Sequence, residues 1–299
     1  MSRSPACGTR RGNAPGHTDA VARTTLNPRR RLTLQIIVGV VVLAVAAAIV
    51  LGWGLGSHPK PSGQAAKTPA EAGVTAQLAA VPASVFDAIG PGTAQAAPRH
   101  VATAPALTQG GKPLVTYVGG EFCPYCAAER WPLAVALSRF GTLEGLGQTT
   151  SASAPEVYPD TATLSFHGAS LTSDHLALDA KEVYDRDHNA LDKLTPDEQK
   201  VVDTYDAPPY SQSAGTIPFV DLGGQWLVVG AQYDPSVLAG KTHAQIAAAL
   251  SDPSSPIAKA VIGTANVLTV ALCVQTGGQP DSVCQSTGVK TTAAAMGVG

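Results

Sequence analysis

The longest uninterrupted apolar segment runs from Leu34 to Leu55, LQIIVGVVVLAVAAAIVLGWGL, with Gln35 as its only strongly polar member. A helix of that length spans about 33 Å, enough to cross a hydrocarbon core of about 30 Å. After it the pattern changes to short elements. Pro113–Val118 is a β-branched apolar run that predicts a buried strand. Cys126–Phe140 predicts a helix with Trp131, Leu133, Val135, Leu137 and Phe140 on its apolar side and Pro132 at a kink or in its first turn. Thr161–Phe166 and His175–Tyr184 are further strand candidates. Thr195-Pro-Asp-Glu198 is a full capping box opening a helix to about Tyr205. Ile217–Asp221, Gly223-Gly224 and Gln225–Val229 predict a β-hairpin. Two helices follow, Thr242–Leu250 and one capped by Ser255 that runs to about Cys273. Strand, helix, strand, insertion, helix, hairpin and helix predict a mixed α/β sheet covered by helices.

The same pattern divides the chain. Residues 1–31 lack periodicity and predict a disordered, basic cytoplasmic tail. Residues 32–56 form the transmembrane anchor, and 57–111 read as a tether with one short helix at 81–89, capped by Ser84. The folded domain is expected over 112–252. A C-terminal extension over 253–299 carries the last helix, a disulfide-closed tail and a loose end after Cys284.

Charge orients the anchor. Net charge is only -2, yet seven Arg and one acid precede residue 32, leaving 13 basic and 21 acidic residues for the rest. An acidic folded part argues against nucleic-acid binding. Arg29, Arg30 and Arg31 abut the apolar segment, so the positive-inside rule puts the N-terminus in the cytoplasm and everything after Gly56 outside. Trp53 stands where an interfacial aromatic belongs. A cleaved signal peptide is the rival reading, but its apolar stretch should be shorter and followed by a small-x-small site, which Gly52–Gly56 matches poorly. The lipid bilayer is thus the first expected partner.

Chemistry enters with the five Cys, of which Cys7 lies in the tail and has no assigned role. The others form two pairs, Cys123/Cys126 and Cys273/Cys284, suited to an oxidising compartment. Where a CxxC opens a helix, unpaired N–H groups and the helix dipole stabilise thiolate on the first Cys. Cys123 would attack a substrate disulfide and Cys126 would resolve the mixed disulfide. Half of a zinc site and an inert disulfide are the alternatives, and Cys273-x10-Cys284 lacks the spacing of a second zinc pair. Cys273 and Cys284 read as a structural disulfide. No metal or cofactor is expected. His167, His175, His188 and His243 are scattered and read as surface or structural residues, and the acid-rich stretch Asp174–Asp206 as a solvated face.

Glu121-Phe-Cys-Pro-Tyr-Cys-Ala-Ala-Glu-Arg-Trp131, Tyr205–Tyr210, Gly215–Phe219, Val237–Leu250 and the Cys273/Cys284 segment resemble the family filed as domain of unknown function 929, over roughly residues 80–287. More broadly, Cys123, Cys126 and Pro218 resemble exported thiol–disulfide oxidoreductases of the Dsb type. The resemblance implies a thioredoxin-like fold with an insertion and a C-terminal helical extension, preceded by one transmembrane helix. It implies that Pro218 is cis and faces the CxxC, with Thr216, Ile217 and Phe122 contacting a substrate strand. It also implies a membrane-tethered extracytoplasmic oxidoreductase whose partners are exported protein thiols or disulfides and an unknown recycling partner. The alternatives are a binding module or Cu(I) carrier using the same thiols, and a non-catalytic scaffold. One departure stands out: thioredoxins place a buried carboxylate six residues before the first Cys, and that position here is Tyr117.

Overall fold

The computed structural model describes residues 69–298. The expected tail at 1–31, the expected anchor at 32–56 and the first part of the expected tether lie outside the described residues. In chain order the elements are helices α1 (Pro69–Ala79) and α2 (Ala83–Ile89), strands β1 (Arg99–His100), β2 (Thr108–Gln109) and β3 (Lys112–Gly119), and helix α3 (Pro124–Ser138). Then come β4 (Thr142–Glu144), β5 (Gly147–Thr150), β6 (Ala162–Ser165), β7 (Ser170–Thr172) and β8 (Ala177–Glu182). Helix α4 (Pro196–Tyr205), β9 (Phe219–Leu222), β10 (Trp226–Val229), α5 (His243–Ala249), α6 (Pro256–Gln275), α7 (Asp281–Cys284) and α8 (Thr287–Met296) complete the chain.

The apolar run after Lys112 becomes the central strand. β3 pairs in parallel with β8, Gly119 facing Glu182, and antiparallel with β9, Tyr117 facing Val220. β10 and then β1 extend the sheet beyond β9, and β2 pairs with the first residues of β3. A mixed sheet covered by helices is therefore the observed architecture, as the element order predicts. The expected strand at Thr161–Phe166 does not join this sheet; it forms a separate pair with β5, beside a second pair made by β4 and β7. Alternation along β3 sends Val115 and Tyr117 to the larger core with α3 and α6, and Val118 to a smaller one with Phe219, Leu227 and the half-buried face of α4.

Two expectations are corrected. The tether over 57–111 is folded from Pro69 onward: Val74 and Leu78 on α1, with Val85 and Phe86 on α2, are buried in the main core. Their spacing is apolar, but their alanine- and proline-rich setting hides it in the sequence. The loose end after Cys284 is helix α8, which buries Val289 and Thr292. Both segments clasp α6. Asn266 Nδ2 donates to Phe86 O at 2.9 Å and Gly90 O at 2.8 Å, saturating the end of α2. Arg139, just past α3, bonds Asn266 and Thr269, each at 3.1 Å, and lies over the Phe86 ring at 4.2 Å. The 253–299 segment is thus the centre of the helical layer rather than an appendage.

Among the described residues, α6 is the one helix long and apolar enough to cross a membrane, and 89% of its apolar window is buried inside the fold. Cys273 near its end is bonded to Cys284. Gly263 is needed for close approach: a Cβ there would meet Pro91 O at 2.6 Å and Gly92 Cα at 2.8 Å. Gly→Ala in an unobstructed helix stabilises by roughly 1 kcal/mol. In Gly263→Ala the clash should reverse the sign, to a loss of about 1–3 kcal/mol. A lowered Tm of the full-length protein checks this; an unchanged or raised Tm would mean that the Pro91–Gly92 turn does not rest on α6.

Candidate functional site

Gly119 and Gly120 end β3, and two residues later the chain enters α3 with Cys123 as N-cap and Pro124 at the first helical position. Proline fits there because that N–H has no intrahelical acceptor. Cys123 takes the capping role usually held by a hydroxyl or carboxylate, its Sγ accepting from the Cys126 backbone N–H at 3.4 Å. Cys123 is 6% exposed and Cys126 is fully buried, both as free thiols. The order of accessibility is the expected one, but Cys123 is more enclosed than an exposed nucleophile.

The residues expected around the pair converge unevenly. The Ile217–Pro218 bond is cis, and Cys123 Sγ–H donates to Ile217 O at 3.8 Å. Thr216 is half-buried, with its hydroxyl donating to Ser213 O at 3.0 Å. The Phe122 ring lies against His188 at 4.2 Å and edge-on to Tyr184 at 6.1 Å. The Phe122 carbonyl accepts from Ala152 N–H at 2.8 Å, which brings the loop after β5 beside the cysteines. Tyr158 from that loop meets Tyr125 edge-on at 6.4 Å. Cys273 and Cys284 stand together elsewhere, bonded to each other.

Electrostatics separates the two thiols. The Cys126 thiol hydrogen-bonds the Cys123 sulfur, and with the Cys126 and Tyr125 backbone and the Arg130 charge it outweighs burial, lowering Cys123 to about 7. Burial pushes Cys126 well above the ordinary thiol value. Of the two thiols, Cys123, at the helix start, is therefore the one that ionises near neutral pH.

Beneath the pair lies a charged group that the sequence pattern does not announce. Arg130 and Glu182 are both fully buried. Arg130 Nε donates to Glu182 Oε1 and Nη2 to Oε2, both at 2.7 Å, and Nη2 also donates to Gly120 O at 2.6 Å. Glu182 Oε1 accepts a further bond from Phe166 N at 3.2 Å. Reading Asp174–Asp206 as a solvated face is thus corrected at Glu182, which ends the parallel strand against Gly119. The usable signal was spacing: Cys126 and Arg130, four apart, share one helix face.

Glu121 accepts from the Ser165 hydroxyl. The buried Glu129 accepts from Gln232 N–H at 3.0 Å, on the far side of the helix's polar set. His243 is structural, as expected of the histidines, its Nε2 lying 2.8 Å from both Thr149 O and Thr163 O.

These features define a mixed α/β protein with a paired-cysteine site at a helix N-terminus. The chain belongs to the family described as Domain of unknown function (DUF929), whose model matches residues 101–274, a span that holds both thiols, Arg130, Glu182 and Pro218. No curated protein and no solved structure matches the chain.

Burial lifts Glu129 to about 8 and Asp221, which accepts only from Gly224 N–H, to about 7. Both folded-state values exceed the unfolded ones, so the folded chain keeps protons that the unfolded chain releases. Stability from these groups is full below the ordinary carboxylate range and is lost as pH rises towards 7–8. The Tm should fall between about pH 5 and pH 8, and Glu129→Gln should flatten that fall. A Tm that rises over this window, with the variant parallel to wild type, would contradict the assignment.

Proposed function

We propose that the protein is a membrane-tethered, extracytoplasmic thiol–disulfide oxidoreductase of thioredoxin-like fold, acting on exported proteins through Cys123 and Cys126. The observation that carries this reading is the juxtaposition of a helix-capping thiol lowered to about 7 with the carbonyl that precedes Pro218, Cys123 Sγ to Ile217 O at 3.8 Å. Strand order supports the fold assignment. β3 leads through α3 to the parallel strand β8, then β9 and β10 return as an antiparallel hairpin on the other side of β3, with the thiol pair after β3 and Pro218 before β9. Residues 139–176, with their two small sheets, are the insertion on this reading, which puts it before the second strand of the main sheet and not after it as the element order suggested. The tether and the outward side rest on the Leu34–Leu55 run and the arginines before it.

The chemistry balances as a two-electron exchange. Cys123 thiolate attacks one sulfur of a substrate disulfide; a new S–S bond forms as the old one breaks, and the leaving thiolate takes a proton. Cys126 then loses its proton and attacks Cys123 Sγ, releasing the second substrate thiol and leaving a Cys123–Cys126 disulfide. Run backwards, the same steps oxidise a dithiol. A polypeptide partner fits the rim, where Tyr125 at 42% and Tyr184 at 44% exposure offer ring surface beside the thiols. Phe122, Thr216 and Ile217 are the backbone and side-chain contacts for its strand.

The full-length protein should reduce insulin or oxidise a dithiol peptide, and both Cys123→Ser and Cys126→Ser should abolish turnover. Cys126→Ser should accumulate mixed disulfides through Cys123. Absence of turnover in both directions, or trapping through Cys126 in Cys123→Ser alone, refutes the reading.

A further inference from the structure

A buried guanidinium needs acceptors for its N–H groups and a counter-charge. Arg130 has both, yet not fully: Nε and Nη2 are satisfied by Glu182 and Gly120, while Nη1 is buried with no partner among the described residues. A second donor nearby is in the same state. Tyr117 is fully buried, its hydroxyl is unpartnered, and it lies so close to Gly119 that a Cβ there would overlap it. Glu182 is the β8 partner of Gly119 in the sheet register. Three polar ends thus meet at Gly119–Gly120, the two residues that lead into the thiol turn. Two of them hold donors with no acceptor among the described residues.

We propose that Arg130 and Glu182 are positioning residues for the thiol pair: the guanidinium is held under the Cys123–Cys126 turn to stabilise thiolate there, and the carboxylate both fixes it and limits how much positive charge the sulfurs feel. This rests on the thiol–disulfide reading for its use, though not for its electrostatics. Gly120 O is the geometric link: it accepts from Arg130 Nη2 at 2.6 Å and from Cys123 N–H at 3.1 Å, so the guanidinium and the start of the thiol turn hang from one carbonyl, and Arg130 stands one helical turn past Cys126. Tyr117 brings a buried hydroxyl, not a carboxylate, to this point. Here the ionisable acid is Glu182, on the neighbouring strand, already committed to Arg130.

The titratable and charged groups facing the pair are Arg130 on α3, Tyr117 on β3, Glu182 on β8 and Glu121 in the connecting loop. Arg130 lowers both thiols, and Glu182 raises Cys126. The two members of the ion pair act with opposite sign on Cys126, as opposite charges must, so the readout that separates this role from a purely structural one is the midpoint of the thiol itself.

The test is the pH profile of Cys123 alkylation by iodoacetamide, read by mass spectrometry of its peptide. It is done on reduced full-length protein carrying Cys7→Ser. Wild type should show a midpoint at about 7. Arg130→Met should raise it, and at a fixed pH below the midpoint the thiolate fraction should fall about tenfold for each pH unit that the midpoint rises. Glu182→Gln should lower it, raising the alkylation rate at pH 5–6. The paired Arg130→Met/Glu182→Leu, which replaces a buried ion pair by apolar groups and so keeps the fold even if Arg130→Met does not, should show the raised midpoint. Midpoints that do not move, or Glu182→Gln moving upward, overturn the proposal. No substrate enters this measurement, so a protein that fails to turn over insulin can still pass it, and the reverse.

Discussion

A guanidinium closed off from water can exist only where acceptors converge, and Arg130 meets that condition at one place in the fold. Its fork binds the two oxygens of Glu182 and the carbonyl of Gly120, so one side chain joins the cysteine helix, the parallel strand and the end of the central strand. Removing either partner would leave an uncompensated charge in the interior, which costs several kcal/mol. This clasp ties α3 to the ends of β3 and β8, just where the chain turns into Cys123, in addition to the apolar packing of the helix. Apolar contacts tolerate small slides; a bidentate pair does not.

The rest of the architecture keeps that helix from moving. α6 supports α3 from behind, and the segments on either side of the sheet in sequence, α2 and α8, close over α6 through Asn266, Arg139 and the close approaches at Gly263 and Gly288. Chain ends far apart in sequence therefore share one packed layer with the residues behind the thiols. That places the stability of the site partly in segments that carry no chemistry.

Much of this was legible in the sequence. The β-branched run before the cysteines, the Thr195 and Thr242 caps and the Gly223-Gly224 turn are local signals, and local signals survive without tertiary context. The thiol pair was legible from its own short spacing, and Pro218 from the family resemblance. What escaped was long-range. Val74 and Leu78 look like scattered apolar residues until α3 and α5 offer faces for α1, and Phe86 until α6 offers one for α2. Glu182 sits in an acidic stretch, and nothing adjacent in sequence shows that its partner is Arg130, 52 positions away. The approach of the Ile217 carbonyl to Cys123 spans 94 positions too, but there the family resemblance supplied what no local pattern shows.

The double character of α6 bears on how the chain is made. Any cellular machinery that sorts segments by hydrophobicity meets residues 256–275 before they have partners, and by length and composition alone they pass as a membrane span. Once folded, the same residues are enclosed by α2, α3 and α8, and Asn266 in their middle is committed to two carbonyls. In lipid that amide would need other partners, a modest but real penalty. Completion of the helical layer is therefore what separates this segment from a membrane span: its length and composition alone do not, and its 89% buried window does.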